Sequence, residues 1–116
     1  MRGAGLHALV LIGLTVGVVA CKRSEAASGK SRELFANACA RCHGQDGAGG
    51  LPLFEGGPSP RNFHEHDFQL ARTDDQLKQT IRNGKGSGMP PFGTTFSEAE
   101  LDALVAQIRS FDSEKK

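Results

Sequence analysis

The feature that most constrains this chain is the segment Cys39-Ala40-Arg41-Cys42-His43, a C-x-x-C-H motif. Two thiols three positions apart can reach the two vinyl groups on one edge of a porphyrin, and the adjacent histidine then falls beneath the iron. The motif therefore predicts one haem c per chain, attached covalently through Cys39 and Cys42. His43 is the predicted axial ligand of the iron.

Other uses of a C-x-x-C pair stay open at this point. A thioredoxin-like redox pair belongs to a βαβ context, and no strand pattern surrounds these cysteines. A zinc site needs more ligands than the motif supplies, and only His64 and His66 remain as candidates. The alternative to haem is therefore a colourless protein that uses the two thiols for zinc or for a disulfide.

A second axial ligand is predicted from the segment Gly86-Ser87-Gly88-Met89-Pro90-Pro91-Phe92. Glycine permits close backbone approach and proline stiffens the chain, so this loop suits a thioether held against a metal. Apart from Met1, Met89 is the only methionine. His64 and His66 are the competitors for this position, although they lie in a polar stretch where histidines are more often solvated.

Apolar periodicity and capping signals predict an all-α domain. Three helices are expected, over Arg32–Ala38, Asp74–Asn83 and Glu98 to about Ser110. The second and third begin with capping boxes, Thr73 with Gln76 and Ser97 with Glu100. The predicted core positions of these two helices are Leu77, Ile81, Leu101, Leu104, Val105 and Ile108. The connections over 44–60 and 84–93 are rich in Gly and Pro, and loops this long commonly wrap a ligand.

The N-terminal residues resemble a bacterial lipoprotein leader. Residues 1–20 form the predicted signal peptide, with an apolar run from Ala8 to Ala20. The sequence Val18-Val19-Ala20-Cys21 resembles a lipobox, in which cleavage leaves lipid on Cys21. Residues 21–30 would then be a lipid-anchored flexible tether in the bacterial periplasm, and 31–116 the folded domain. The alternative is an ordinary signal peptide cleaved after Ala20, which leaves Cys21 as a free thiol.

Charge excludes some classes of partner. The chain of 116 residues carries a formal net charge of +1 and no run of Lys and Arg, so the electrostatic footprint of a nucleic-acid-binding protein is absent. The length allows a single domain. Nothing in the sequence suggests a small-molecule substrate.

From about Ser31 to Phe111 the sequence resembles a mono-haem class I cytochrome c, in the C-x-x-C-H motif, in LKQTIRNGKGSGMPPF and in FSEAELDALVAQIRSF. The resemblance implies the cytochrome c fold, with short helices wrapped around one haem. It also implies that the Pro52 carbonyl accepts a hydrogen bond from the far nitrogen of His43. Phe63, in Pro60-Arg61-Asn62-Phe63, would pack near the haem.

The same resemblance implies a one-electron carrier without catalytic residues, in which His43 and Met89 occupy both axial positions. Its partners would be redox proteins in the periplasm or at the membrane. They would dock at a haem edge rimmed by Ala40, Gly88, Pro90 and Pro91. Candidates to bind the haem propionates are Arg61, Asn62, Arg72, Arg82 and Lys85, among which the sequence does not choose.

Two other functions fit the same motifs. The chain could be the cytochrome c subunit of an extracytoplasmic oxidoreductase complex, with identical haem chemistry. It could instead be a haem-based gas sensor or a peroxidase-like protein, which requires Met89 to leave the iron. Binding of carbon monoxide to the reduced protein separates this last class from an electron carrier.

Overall fold

A computed structural model describes residues 17–50 and 52–115. Within these residues the α-helices are α1 (Gly17–Ala38), α2 (Ala40–His43), α3 (His66–Ala71), α4 (Asp74–Asn83) and α5 (Glu98–Ser110), and a 3₁₀ turn follows at Ser113–Lys115. The described chain contains no β-strand and one isolated bridge, between Lys85 and Met89. The predicted all-α class is confirmed.

Helix α1 is longer than the sequence predicted, because it begins at Gly17 rather than at Arg32. It runs through 21–30, where the sequence indicated a flexible tether. This stretch contains no proline and a single glycine, Gly29, so helical hydrogen bonding continues without a break. Most of the predicted signal peptide and the side chain of Cys21 lie outside the described part of the chain. Among the described helices, none combines the length and apolar character needed to cross a bilayer.

Helices α4 and α5 begin at the predicted capping boxes. The Thr73 hydroxyl accepts a hydrogen bond from the Gln76 backbone N–H at 3.2 Å, and the Gln76 side chain accepts one from the Thr73 N–H at 3.0 Å. Ser97 and Glu100 repeat this arrangement at the start of α5. Each box satisfies backbone donors that a helix leaves unpaired at its first turn.

The core lies where α1 packs against α5, and α4 also packs against α5. Its buried apolar residues are Phe35, Ala40, Phe63, Leu77, Ile81, Leu101, Leu104, Val105 and Ile108. The core positions predicted for α4 and α5 are thus confirmed as buried. Each leucine or isoleucine buried here contributes about 1.5–3 kcal/mol relative to an exposed side chain.

The short helices α2 and α3 were not predicted. Helix α2 follows α1 almost directly, and the backbone N–H groups of Cys42 and His43 both bond to the Cys39 carbonyl, at 3.1 and 2.9 Å. Helix α3 has no side-chain cap at Glu65. It is joined to the C-terminal segment by a 2.9 Å hydrogen bond between His66 Nδ1 and Asp112 Oδ1, which holds the pKa of Asp112 below its usual range.

Candidate haem-binding site

A single large cavity brings the predicted site residues together. It measures about 1000 Å³, at the upper end of the volumes of about 300–1000 Å³ that ligand pockets usually have. Cys39, Cys42 and His43 line one part of it, and the loop that carries Met89 lines another. The remaining lining includes core residues of α4 and α5, namely Leu77, Ile81 and Ile108. Cofactor-sized space is therefore bordered by two thiols, an imidazole and a thioether.

The ring of His43 is fixed by a hydrogen bond and by stacking. Its Nδ1 lies 3.1 Å from the backbone carbonyl oxygen of Arg61. The ring also stacks on Phe63, with centroids 4.6 Å apart and planes 18° from parallel. Because a carbonyl only accepts, Nδ1 carries the proton and Nε2 keeps its lone pair for a metal. Burial lowers the pKa of His43, against a smaller opposing effect of the bond to Arg61, so the neutral ligand form is favoured.

The acceptor of that hydrogen bond differs from the one that the resemblance implied. Pro52 was expected to supply the carbonyl, but it is exposed and does not line the cavity. The chain returns beneath His43 at residues 61–63, where the Phe63 N–H bonds to the Gly47 carbonyl at 2.8 Å. Residues 52–56 lie on the exposed part of the loop. Every residue has a backbone carbonyl, so the sequence does not show which one accepts this hydrogen bond. For this segment, the resemblance implied that Phe63 packs near the haem.

The two cysteines of the motif line the cavity and are not joined to each other in a disulfide. Burial, together with the nearby Cys42, raises the pKa of Cys39 to about 11. Redox-active cysteines of the thioredoxin kind have a lowered pKa instead. Within the described residues, no group of three or more His, Cys, Asp or Glu side chains is placed to hold a metal ion. The environment therefore favours neither the redox-pair nor the zinc alternative.

Both competing histidines are engaged elsewhere. The Nε2 of His64 lies 2.7 Å from the Asp46 carbonyl oxygen, and His66 bonds to Asp112. Neither histidine lines the cavity. Of the three candidates for a second iron ligand, Met89 alone lines the cavity.

The Met89 loop is closed by backbone hydrogen bonds. Lys85 and Met89 exchange two, with N···O distances of 2.9 and 3.2 Å. Beyond the prolines, the Phe92 N–H bonds to the Ile81 carbonyl at 3.0 Å. Gly84 has a φ of 72°, and a Cβ there would lie 2.5 Å from the Met89 carbonyl oxygen. Glycine at this position therefore allows the loop to fold back beside the end of α4.

The charged side chains that line the cavity are all basic: Arg41, Arg61, Arg72 and Lys85. The guanidinium of Arg61 is already paired with Glu65 at 2.9 Å and lies 5.1 Å from the centre of the Phe68 ring. Two other predicted propionate partners, Asn62 and Arg82, do not line the cavity. The positive charge suits a cofactor that carries carboxylates.

Comparison with known proteins agrees with this site. Residues 26–108 match the family model described as "Cytochrome C oxidase, cbb3-type, subunit III". The chain belongs to this family of cytochrome c domains. Covalently bound haem c is accordingly its cofactor, and the thiols, the imidazole and the cavity volume fit that group.

Relatives and a solved structure extend the comparison. The chain is 37% identical over 76 residues to the "Cbb3-type cytochrome c oxidase subunit CcoP" of Rubrivivax gelatinosus, covering 64% of this chain and 22% of that protein. It is 31% identical over 84 residues to the subunit FixP of Azorhizobium caulinodans, covering 72% of this chain and 27% of that protein. The domain thus spans about a quarter of the length of these relatives. The solved "KustC0563 c-type cytochrome" matches with a TM-score of 0.62 and 28% identity, over 71% of this chain and 96% of that one.

Proposed function

We propose that this cytochrome c domain is a one-electron carrier. Cys39 and Cys42 would attach the haem c, and His43 and Met89 would bind its iron. The observation that carries the proposal is that one cavity is lined by both thiols, the imidazole and the thioether, with His64 and His66 outside it. If His43 and Met89 both bind the iron, they would leave no open position for a substrate, and the domain would need no catalytic residue.

The protein's own groups set the conditions for electron transfer. The bound haem supplies a metal that gains and loses one electron. His43 is held in one tautomer and one orientation by Arg61 and Phe63, so little rearrangement accompanies the change of charge. The soft sulfur of Met89 and the largely apolar wall both disfavour the extra charge of the oxidised iron, and therefore raise the reduction potential.

Arg72 and Lys85 are the proposed partners of the haem carboxylates. Both line the cavity, whereas Arg61, the neighbouring candidate, is paired with Glu65. Arg41 also lines the cavity and lies between the two cysteines in sequence. A buried or half-buried carboxylate requires a cationic partner, because an unpaired charge is costly to remove from water.

The docking surface for redox partners lies at the mouth of the same cavity. Gly88 and Pro90 line it, and Leu53, which is also exposed, extends its apolar border. Ala40 was predicted in this rim but is buried, because α2 packs it into the core beneath the motif. A small apolar contact of this kind suits brief and weak association.

A second candidate is favoured by the relatives, which are described as subunits of cbb3-type oxidases. In this version the domain passes electrons within an extracytoplasmic oxidoreductase complex instead of diffusing between partners. The haem site is the same in both versions. Gentle solubilisation of native membranes distinguishes them, since the complex predicts that the cytochrome co-purifies with a larger oxidase and the free carrier predicts that it elutes alone.

The proposed location is the periplasmic side of a bacterial membrane. The support is the sequence Val18-Val19-Ala20-Cys21, which suits cleavage before Cys21 and lipid attachment to it. Lipid chains contribute about 0.8 kcal/mol per buried methylene, so two or three of them anchor a protein stably. The Cys21→Ser variant should lose the lipid mass and the membrane association while keeping its haem.

Substitution of Met89 tests the axial assignment. We expect Met89→Ala to keep covalent haem, to lose the weak red absorption band of an iron–methionine bond and to lower the reduction potential. The reduced variant should also bind carbon monoxide, which the wild type resists. His64→Ala and His66→Ala are the matched controls and should leave spectrum and potential unchanged. An unchanged Met89→Ala spectrum, or carbon monoxide binding by the wild type, would contradict the proposal.

A further inference from the structure

Gln69 is a polar side chain buried behind the wall of the haem cavity. It lies on α3 and is 5% exposed. Its Nε2 donates to the Phe63 carbonyl at 2.7 Å and to the Ile108 carbonyl at 3.0 Å. Its Oε1 accepts from the Arg109 guanidinium at 3.0 Å. Both ends of the amide are therefore in use, and its orientation is fixed.

Arg109 holds Gln69 in place from the end of α5. The same guanidinium nitrogen that bonds to the Gln69 side chain also donates to the Gln69 backbone carbonyl at 2.6 Å. Its Nε donates to Asp74 Oδ1 at 2.8 Å, at the start of α4. Arg109 therefore ties Gln69, on α3, to the two helices α4 and α5. Gln69 is the buried member of this network, and a buried polar side chain whose hydrogen bonds are all satisfied is held rigidly.

The hydrogen bond from Gln69 fixes the segment that orients His43. The Phe63 N–H is held by Gly47 and its carbonyl by Gln69, so both backbone groups of this residue are anchored. The Phe63 ring stacks on His43, and the Arg61 carbonyl two residues earlier accepts the His43 Nδ1 hydrogen bond. Gln69 therefore influences the His43 ring in two ways. It anchors Phe63, whose ring stacks on the imidazole, and it anchors the segment 61–63, whose Arg61 carbonyl accepts the Nδ1 hydrogen bond.

From this geometry we infer that Gln69 is a positioning residue for His43 and thereby helps to set the reduction potential. The inference rests on the proposed function, because it requires His43 to be the iron ligand. Donation of the Nδ1 proton to a carbonyl makes an imidazole a stronger ligand, which stabilises the oxidised iron. Loss of the Gln69 donor frees residues 61–63, weakens that bond and shifts the iron toward the reduced state.

The test compares Gln69→Met with Gln107→Met. Gln107 is the matched control, since it is a buried glutamine on α5 that bonds to Ser31 and Ser110 and does not line the haem cavity. We expect Gln69→Met to raise the ratio of reduced to oxidised haem at a fixed potential about tenfold, equal to about 59 mV for one electron. Exchange of the His43 Nδ1 proton with solvent, followed by NMR in the reduced protein, should become at least about tenfold faster, because that bond is loosened. Gln107→Met should change neither quantity.

Two results would overturn the inference: Gln69→Met leaving both quantities unchanged, or Gln107→Met shifting both as much. If Gln69→Met does not fold, Gln69→Asn replaces it in the test. Asparagine keeps the polar amide, but its side chain is one methylene shorter and cannot reach both carbonyls. Failure of the proposed function is recognised separately, in the wild type. A wild-type protein without covalent haem, or without the iron–methionine band, overturns that proposal, whereas an intact wild type with unshifted Gln69 variants overturns only this inference.

Discussion

The helical core and the loop-built wall of the cavity are stabilised in different ways. Where α1 crosses α5, the chain covers its own apolar surface, and Leu104 is 0% exposed. The loop around 52–60, by contrast, leaves Leu53 and Phe54 exposed, and Leu53 lines the cavity. The core between α1 and α5 is thus completed by polypeptide, while the loops that border the cavity present apolar side chains that suit a large apolar ligand.

Different parts of the molecule therefore determine its stability and the geometry of its haem site. The core helices carry capping boxes and a packed interior, which are general devices of small helical domains. The orientation of His43 and the placement of Met89 depend on loop segments that are held by a few backbone hydrogen bonds and by the stacking of Phe63. Changes in the core should therefore alter the free energy of unfolding, whereas changes in the loops should alter spectrum and potential as well.

The largest effect is expected when the covalent link to the ligand is removed. In Cys39→Ser with Cys42→Ser the wall loses the group that covers it, so the free energy of unfolding should fall by more than about 4 kcal/mol, as for loss of a metal or covalent link. Circular dichroism and absorption of the exported protein measure this. Cys21→Ser is the control and should keep both haem and fold. Recovery of a stable, haem-free domain would show that the wall does not need the ligand.

A smaller effect, confined to stability, is expected from the core. Leu104→Ala leaves a cavity at a fully buried site and should cost about 2–5 kcal/mol in denaturant unfolding, with an unchanged haem spectrum. Leu70 is the matched surface residue, 72% exposed. Leu70→Ala should stay within about 0.5 kcal/mol of the wild type. A changed haem spectrum in Leu104→Ala would contradict the comparison, because it would show that packing of the core also affects the haem site.

A loss of stability no larger than in the core, but with a change of spectrum, is expected at the Met89 loop. In Gly84→Ala the new Cβ would meet the Met89 carbonyl oxygen at 2.5 Å, in a backbone with a φ of 72°. We expect a cost of about 2–4 kcal/mol from left-handed backbone and overpacking, with a weakened iron–methionine band. Gly86 also has a positive φ, yet a Cβ there meets nothing within 4 Å. Gly86→Ala should therefore cost only about 1–2 kcal/mol and keep the band. Equal spectra for the two variants would show that binding of Met89 to the iron does not depend on how closely the loop folds back on Gly84.

The sequence predicted the parts of this molecule that depend on local chemistry. The C-x-x-C-H motif and the capping boxes of α4 and α5 are encoded by neighbouring residues, so spacing alone located them. Helix α3 escaped prediction because it has six residues and no side-chain cap. Its place is set by contacts with distant residues, such as the bonds between Gln69 and Arg109, which no local pattern reveals.

The site shows the same limit. Cys39, Cys42, His43 and Met89 were predicted from residue type and neighbours, and the structure places all of them around one cavity. The carbonyl that orients His43 was assigned to Pro52 but belongs to Arg61, because a backbone acceptor depends on how the loop returns and not on the identity of the residue. Likewise, four basic residues face the cavity, but only the fold shows that Arg61 is already paired with Glu65.

The most direct test of the account is the intact mass of the protein exported from cells with haem-attachment machinery, measured beside its absorption spectrum. The account predicts the polypeptide mass plus one haem, unchanged by denaturation, together with the red band of an iron–methionine bond in the oxidised protein. A colourless protein with the mass of the bare polypeptide would contradict it.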